Sequence, residues 1–141
     1  MLLMKTRLRL TLGMSVALAA LALFSSGCGG SSKPDYCSNV SDLQGSVDEL
    51  SSVKPESGAL ETVQSDLKEI EANTEEVVSS AKQDFPSETS ALKSAVSGLS
   101  ASIGQLPATP TAQELLALAP QIQGTVTAAT ELSSATESAC E

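Results

Sequence analysis

The chain has 141 residues, with 17 Asp and Glu against eight Lys and Arg, a net charge of −9, three Cys and no His. That length holds one domain at most besides a targeting segment. The acid excess argues against nucleic acid as a partner, since phosphates are held by Lys and Arg. The missing imidazole excludes Ser–His and Cys–His catalysis and every His-containing metal site.

Residues 1–27 have the layout of an export signal. Lys5, Arg7 and Arg9 form a basic start, the uncharged run Leu10–Phe24 follows, and the small residues Ser25, Ser26 and Gly27 close it. A membrane-spanning helix needs about 20 predominantly apolar residues, and this run is shorter, so a cleaved signal peptide is expected over a permanent anchor. Removing 1–27 takes three basic residues and no acid, which leaves five Lys against 17 acids, a net of −12. Strong acidity therefore belongs to the exported part. It favours solubility and disfavours direct adsorption to an anionic lipid surface. Export also implies an oxidising destination, where disulfides persist, and three cysteines leave one to be accounted for separately.

Cys28 directly follows the expected cleavage point. The stretch Ser25-Ser26-Gly27-Cys28 resembles the short box that ends the signal of bacterial lipoproteins, with Ser25 departing from the usual Leu. The resemblance implies that Cys28 becomes the lipidated first residue of the mature protein and ties it to the membrane. Cleavage by an ordinary signal peptidase, which accepts Ser25 and Gly27, is the alternative. With Cys28 lipidated, Cys37 and Cys140 are left as a disulfide pair, and residues 28–37 form a lipidated Cys with a flexible Gly/Ser tether.

From residue 38 to 141 the pattern is helical throughout. Val40, Leu43, Val47, Leu50 and Val53 recur at three- and four-residue steps, predicting a helix over about 38–53. Lys54–Gly58 breaks it. Leu60, Val63, Leu67, Ile70, Thr74, Val77 and Ala81 then form a coiled-coil-like seam. Leu92, Val96, Leu99, Ile103 and Leu106 repeat the pattern beyond Pro86. Val78, Phe85, Leu92, Leu99 and Leu106 are spaced by sevens across that proline, which favours one kinked helix over 59–106. After the loop 107–110, Thr111 and Glu114 read as a capping box. They open a helix over 111–140 lined by Leu115, Leu118, Ile122, Val126, Ala129 and Leu132, with Pro120 inside it.

At about 1.5 Å per residue, helices of these lengths bring Cys140 level with Cys37 only if the middle one runs unbroken. Four alternating helices of those lengths would leave the cysteines roughly 30 Å apart. The expected fold is therefore all-α: an elongated antiparallel three-helix bundle with a short first helix, a long Pro-kinked middle helix and a long third helix, its ends joined by the disulfide. The last two runs are rich in Ala, Ser, Thr and Gln and poor in charge. That composition suits close helix approach, or a weakly solvated surface for a partner.

No catalytic, cofactor-binding or metal site is expected, and no phosphate-binding or nucleophile motif is present. Glu75 with Glu76, and Asp84 with Glu88, read as solvated surface. Tyr36 is expected to pack on the end of the bundle. Taken whole, residues 28–141 resemble a loose group of short, uncharacterised helical exported proteins of actinobacteria; the shared features are Cys37, the Leu60–Ala81 seam, the Phe85–Pro86 segment and Cys140. That resemblance transfers no activity. The expected role is a non-enzymatic structural or interaction protein, tethered by Cys28 to the outer face of the cell membrane, with an envelope protein or a second copy as partner. The alternatives are a carrier of an apolar ligand or lipid between the Ala-rich helices, and a freely secreted protein.

Overall fold

The computed structural model describes residues 32–141, and every described element is a helix. The signal peptide, Cys28 and most of the tether lie outside the described residues. Residues 33–141 form one compact unit. It contains four long helices, α1 (Tyr36–Ser52), α2 (Ala59–Ala81), α3 (Pro86–Gly104) and α5 (Ala119–Cys140), and the single turn α4 (Ala112–Leu116).

The expected three-helix arrangement is corrected here. The chain reverses at Phe85–Pro86 rather than running through it. Phe85 adopts φ −131°, ψ 61° and stands as the N-cap of α3, with Pro86 in the first helical turn. Proline disfavours the helical conformation in the residue before it, and its missing N–H is harmless only in a first turn. The amides of Asp84 and Phe85 close the end of α2 by bonding to the Ala81 carbonyl at 3.1 and 2.8 Å. The freed Phe85 carbonyl takes the Thr89 amide at 3.1 Å and the Thr89 hydroxyl at 2.7 Å. The last predicted helix is divided as well. It breaks between Leu116 and Ala119, and Pro120 again occupies a first turn, that of α5.

α1 packs against α2, α2 against α3, α3 against α5, and α5 against α1. Each pairing is antiparallel. Along α1 and α2, Asn39 reaches Ser80 while Ser46 reaches Glu69 and Asn73. Along α3 and α5, Glu88 shares a groove with Val126–Ser134, and Gly98 approaches Gln121. Along α1 and α5, Cys37 meets Cys140 at one end, and Leu50 neighbours Leu118 and Ile122 at the other. The result is an up-down-up-down bundle of four helices.

Four alternating helices do close the ring, because α2 and above all α5 are shorter than the sequence suggested. They rise roughly 26, 35, 29 and 33 Å. Alternating directions leave a gap of about 13 Å, which the segment Gln105–Leu118 easily spans.

The predicted seams face the core. Val40, Leu43, Val47, Leu50, Val63, Leu67, Ile70, Val77, Leu92, Val96, Leu99, Ile103 and Leu132 are all buried. Tyr36 closes the disulfide end, 94% buried, with its ring set edge-on to Phe85 at 5.6 Å between centroids. α2 begins at Gly58, whose φ of 91° lies in the left-handed region that favours glycine.

Candidate functional site

The two cysteines assigned as a pair are joined. Cys37 lies in the first turn of α1 and Cys140 in the last turn of α5, with a Cα–Cα distance of 5.6 Å and a sequence separation of 103. The tether boundary moves accordingly: Tyr36 and Cys37 belong to α1. Lys33 donates from Nζ to the Cys140 carbonyl at 2.6 Å, so the chain enters the domain beside the disulfide. Both cysteines are half-buried and border a groove shared with Ser41, Gln44 and Glu137.

A polar ladder between α1 and α2 went unread in the sequence. Asn73 donates to the Ser46 hydroxyl at 2.7 Å, and Ser46 donates to the Asp42 carbonyl at 3.1 Å and to Glu69 Oε1 at 3.4 Å. Seven residues from Ser46, Asn39 donates to the Ser80 hydroxyl at 3.2 Å. Ser46 is 97% buried. A buried hydroxyl fixes helix register because sliding by a turn would strand it without partners. The buried threonines Thr89, Thr125 and Thr136 instead bond to carbonyls of their own helix or its cap. Thr74 is the exception, its buried Oγ1 lacking any partner among the described residues.

The acidic side of the bundle is α1 and α2. Asp66 shares a groove with Asp48 and Glu49 of α1. Burial, and secondarily the charge of Glu69, push the Asp66 carboxyl above its ordinary value. The folded domain thus favours the protonated form. The stability tied to that preference is present below the ordinary carboxylate pKa of 3.8 and is lost as pH rises through the raised value. Asp66→Asn, which cannot ionise, should therefore raise the denaturation midpoint at pH 7, with the gain shrinking towards zero below pH 3.8. Equal gains in denaturant titrations at both pH values would refute the electrostatic account.

The Thr111–Glu114 capping box is formed as read. The Thr111 hydroxyl accepts from the Glu114 amide at 3.2 Å, and Glu114 Oε2 accepts from the Thr111 amide at 2.7 Å. Hydrogen bonds from the Thr111 backbone, then from its side chain, hold the Glu114 carboxyl below its ordinary range.

The other singled-out acids are not brought into a site. Glu75 borders the groove between α2 and α3, whereas the Glu76 carbonyl accepts from Asn39 and Ser80 of the ladder. Asp84 sits in the α2–α3 turn, and Glu88 borders the α3–α5 groove. No group of three His, Cys, Asp or Glu among the described residues is placed to hold a metal ion, and none of the described helices is long and apolar enough to cross a membrane.

At the end of the bundle opposite the disulfide, Leu50, Val53, Pro55, Val63, Leu118 and Ile122 line a mostly apolar pocket of about 30 Å³ that is partly open to solvent. Beside it α4 presents Leu116, 57% exposed and the one large apolar side chain so exposed among the described residues. The chain matches no protein family, no curated protein and no solved structure in the three comparisons made.

Proposed function

We propose that this is an exported, lipid-anchored protein of the bacterial cell envelope, held at the membrane by Cys28, whose helical bundle is a non-enzymatic structural or interaction domain. The observation that carries the reading is the Cys37–Cys140 disulfide. Such a bond persists in an oxidising compartment, and it accounts for two of three cysteines while leaving Cys28 to the signal-like segment. Lys33, five residues after Cys28, bonds to the Cys140 carbonyl beside the disulfide, which is compatible with attachment through that end of the bundle. Two or three acyl chains on Cys28 would supply the more-than-one-chain anchoring that stable attachment needs. The carrier alternative finds less support. A pocket for a small ligand is concave, mostly apolar and about 300–1,000 Å³; the apolar pocket at the helix ends is about 30 Å³, and the roomier groove between α3 and α5, about 510 Å³, is open to solvent and lined by Glu88, Glu131, Thr127, Thr130 and Ser134 beside Val126.

Cys28→Ala should release a folded domain into the medium if export itself survives. Cys37→Ala and Cys140→Ala should stay membrane-bound, each with one new free thiol. Fractionation with thiol labelling and mass spectrometry of the N-terminus reads all three. Wild-type protein found wholly in the medium with an unmodified Cys28 would replace the anchored reading with the secreted one. A disulfide from Cys28 to Cys140 would overturn the assignment of the pair.

A further inference from the structure

The loop between α3 and α4 carries a hydroxyl unlike the others. Residues Pro107–Pro110 neither donate nor accept a hydrogen bond among the described residues: the flanking bonds are Leu106 to the Ile103 carbonyl on one side and Thr111 to Glu114 on the other. Thr109 is exposed, non-helical and braced by Pro107 and Pro110, with Ala108 beside it and no charge between Lys93 and Glu114. Pro107 and Pro110 fix φ at two of its four residues, and the chain bends at Ala108 and Thr109 between them. Most hydroxyls elsewhere are on helices, where the backbone is occupied, and many are bonded to a carbonyl three or four residues back, as in Ser80, Ser94, Ser102, Thr127 and Thr130. Thr111, two residues on, is committed to the capping box. Ser57, in the other loop at this end, lies beside Glu56 in a turn closed by the Ala59 amide bonding to the Glu56 carbonyl at 3.1 Å.

An enzyme that modifies a side chain must take the acceptor on an accessible segment whose backbone it can engage, and Thr109 offers both backbone and hydroxyl; Ser32, also exposed and outside a helix, is followed by Lys33, whose side chain is held at the Cys140 carbonyl beside the disulfide. Thr- and Pro-containing uncharged segments of exported proteins are suited to O-linked sugars. We propose that Thr109 is an acceptor site for O-glycosylation by a phosphate-activated hexose, and this rests on the export reading above. Transfer forms the bond from the sugar C1 to Thr109 Oγ1 and breaks the C1–O bond to phosphate. The electron pair stays on the phosphate oxygen, the hydroxyl proton passes to the transferase base, and nothing is oxidised or reduced. The sugar would sit at the end of the bundle opposite the disulfide, on the same connection between α3 and α5 as the exposed Leu116.

The test is peptide-level mass spectrometry of the protein purified from the cells that naturally make it, together with Thr109→Ala and Thr111→Ala. The peptide spanning Thr109 should carry one or more hexose masses in the wild type and in Thr111→Ala, and none in Thr109→Ala. Thr109→Ala should keep the wild-type circular dichroism and melting curve, since its side chain contacts no core. An exported chain with an unmodified Thr109, or with sugar only on other hydroxyls, overturns the proposal alone. A chain that keeps residues 1–27 overturns the export reading and the glycosylation with it. The N-terminal peptide in the same spectra tells the two failures apart.

Discussion

Cys37→Ala with Cys140→Ala, or reduction of the wild type, should lower the unfolding free energy by up to about 4–5 kcal/mol. The figure follows from the 103-residue separation of the bonded cysteines: a cross-link closing a loop of about 100 residues removes that much denatured-chain entropy. A domain of this size has only about 5–15 kcal/mol of stability in total. The native contacts explain why the loss is not absorbed elsewhere. The bond joins the first turn of α1 to the last turn of α5, and the only described aromatic pair, Tyr36 on Phe85, packs at that same end. Fraying of either terminus therefore exposes that aromatic pair. Urea titration should show a lower midpoint and, because the open chain exposes more surface when unfolded, a steeper slope. Midpoints that coincide with and without reductant would mean that the disulfide contributes nothing to folding.

How far the fold could be read in the sequence depended on which residues carried the information. The seam Val63, Leu67, Ile70, Val77 and Ala81 and its counterpart Leu92, Val96, Leu99 and Ile103 were legible because burial imposes the helical period directly. The Thr111–Glu114 box was legible because it is local. The reversal at Phe85–Pro86 was not. A seven-residue spacing through Phe85 and Leu92 is kept when two helices fold back with both faces on one core, so phase cannot separate a kink from a hairpin. The rule that decides is local too: a pre-proline residue leaves the helical region, as Phe85 does. The axial argument failed because it counted 111–118 as part of the descending helix, whereas α4 and the following turn lie outside α5. The Ser46–Asn73 ladder left no periodic trace at all, since two polar residues 27 apart signal nothing until α1 and α2 are paired. Cys37 and Cys140 were assignable through what the lipoprotein-like box implies for Cys28. Thr109 stands out only once the hydrogen bonds of every other loop residue are known.

Leu99→Ala should cost about 2–5 kcal/mol, the range for deleting a buried leucine side chain, whereas Leu116→Ala should change stability by no more than about 0.5 kcal/mol. The two residues are chemically identical and 17 positions apart. Leu99 is 0% exposed on α3, and Leu116 is 57% exposed on α4. The expected cost at Leu99 falls towards the upper part of the range for a reason specific to this core. Its buried side chains are Leu, Val, Ile, Ala and Thr with the single Ser46, and Tyr36 is the one buried aromatic, at the disulfide end. A cavity is cheap where long or aromatic neighbours can swing in to fill it, and dear where short branched side chains on rigid helices cannot. Leu92, Val96 and Ile103 share the helix with Leu99 and are themselves fixed by contact with the facing helices. Among the described residues α3 also has no polar ladder of the kind that pins α1 to α2, so its place in the ring depends on these apolar contacts. Denaturant titrations of both variants, with the disulfide intact, provide the comparison. A loss at Leu99 no larger than at Leu116 would show that α3 is not packed into the core as one of four bundle helices.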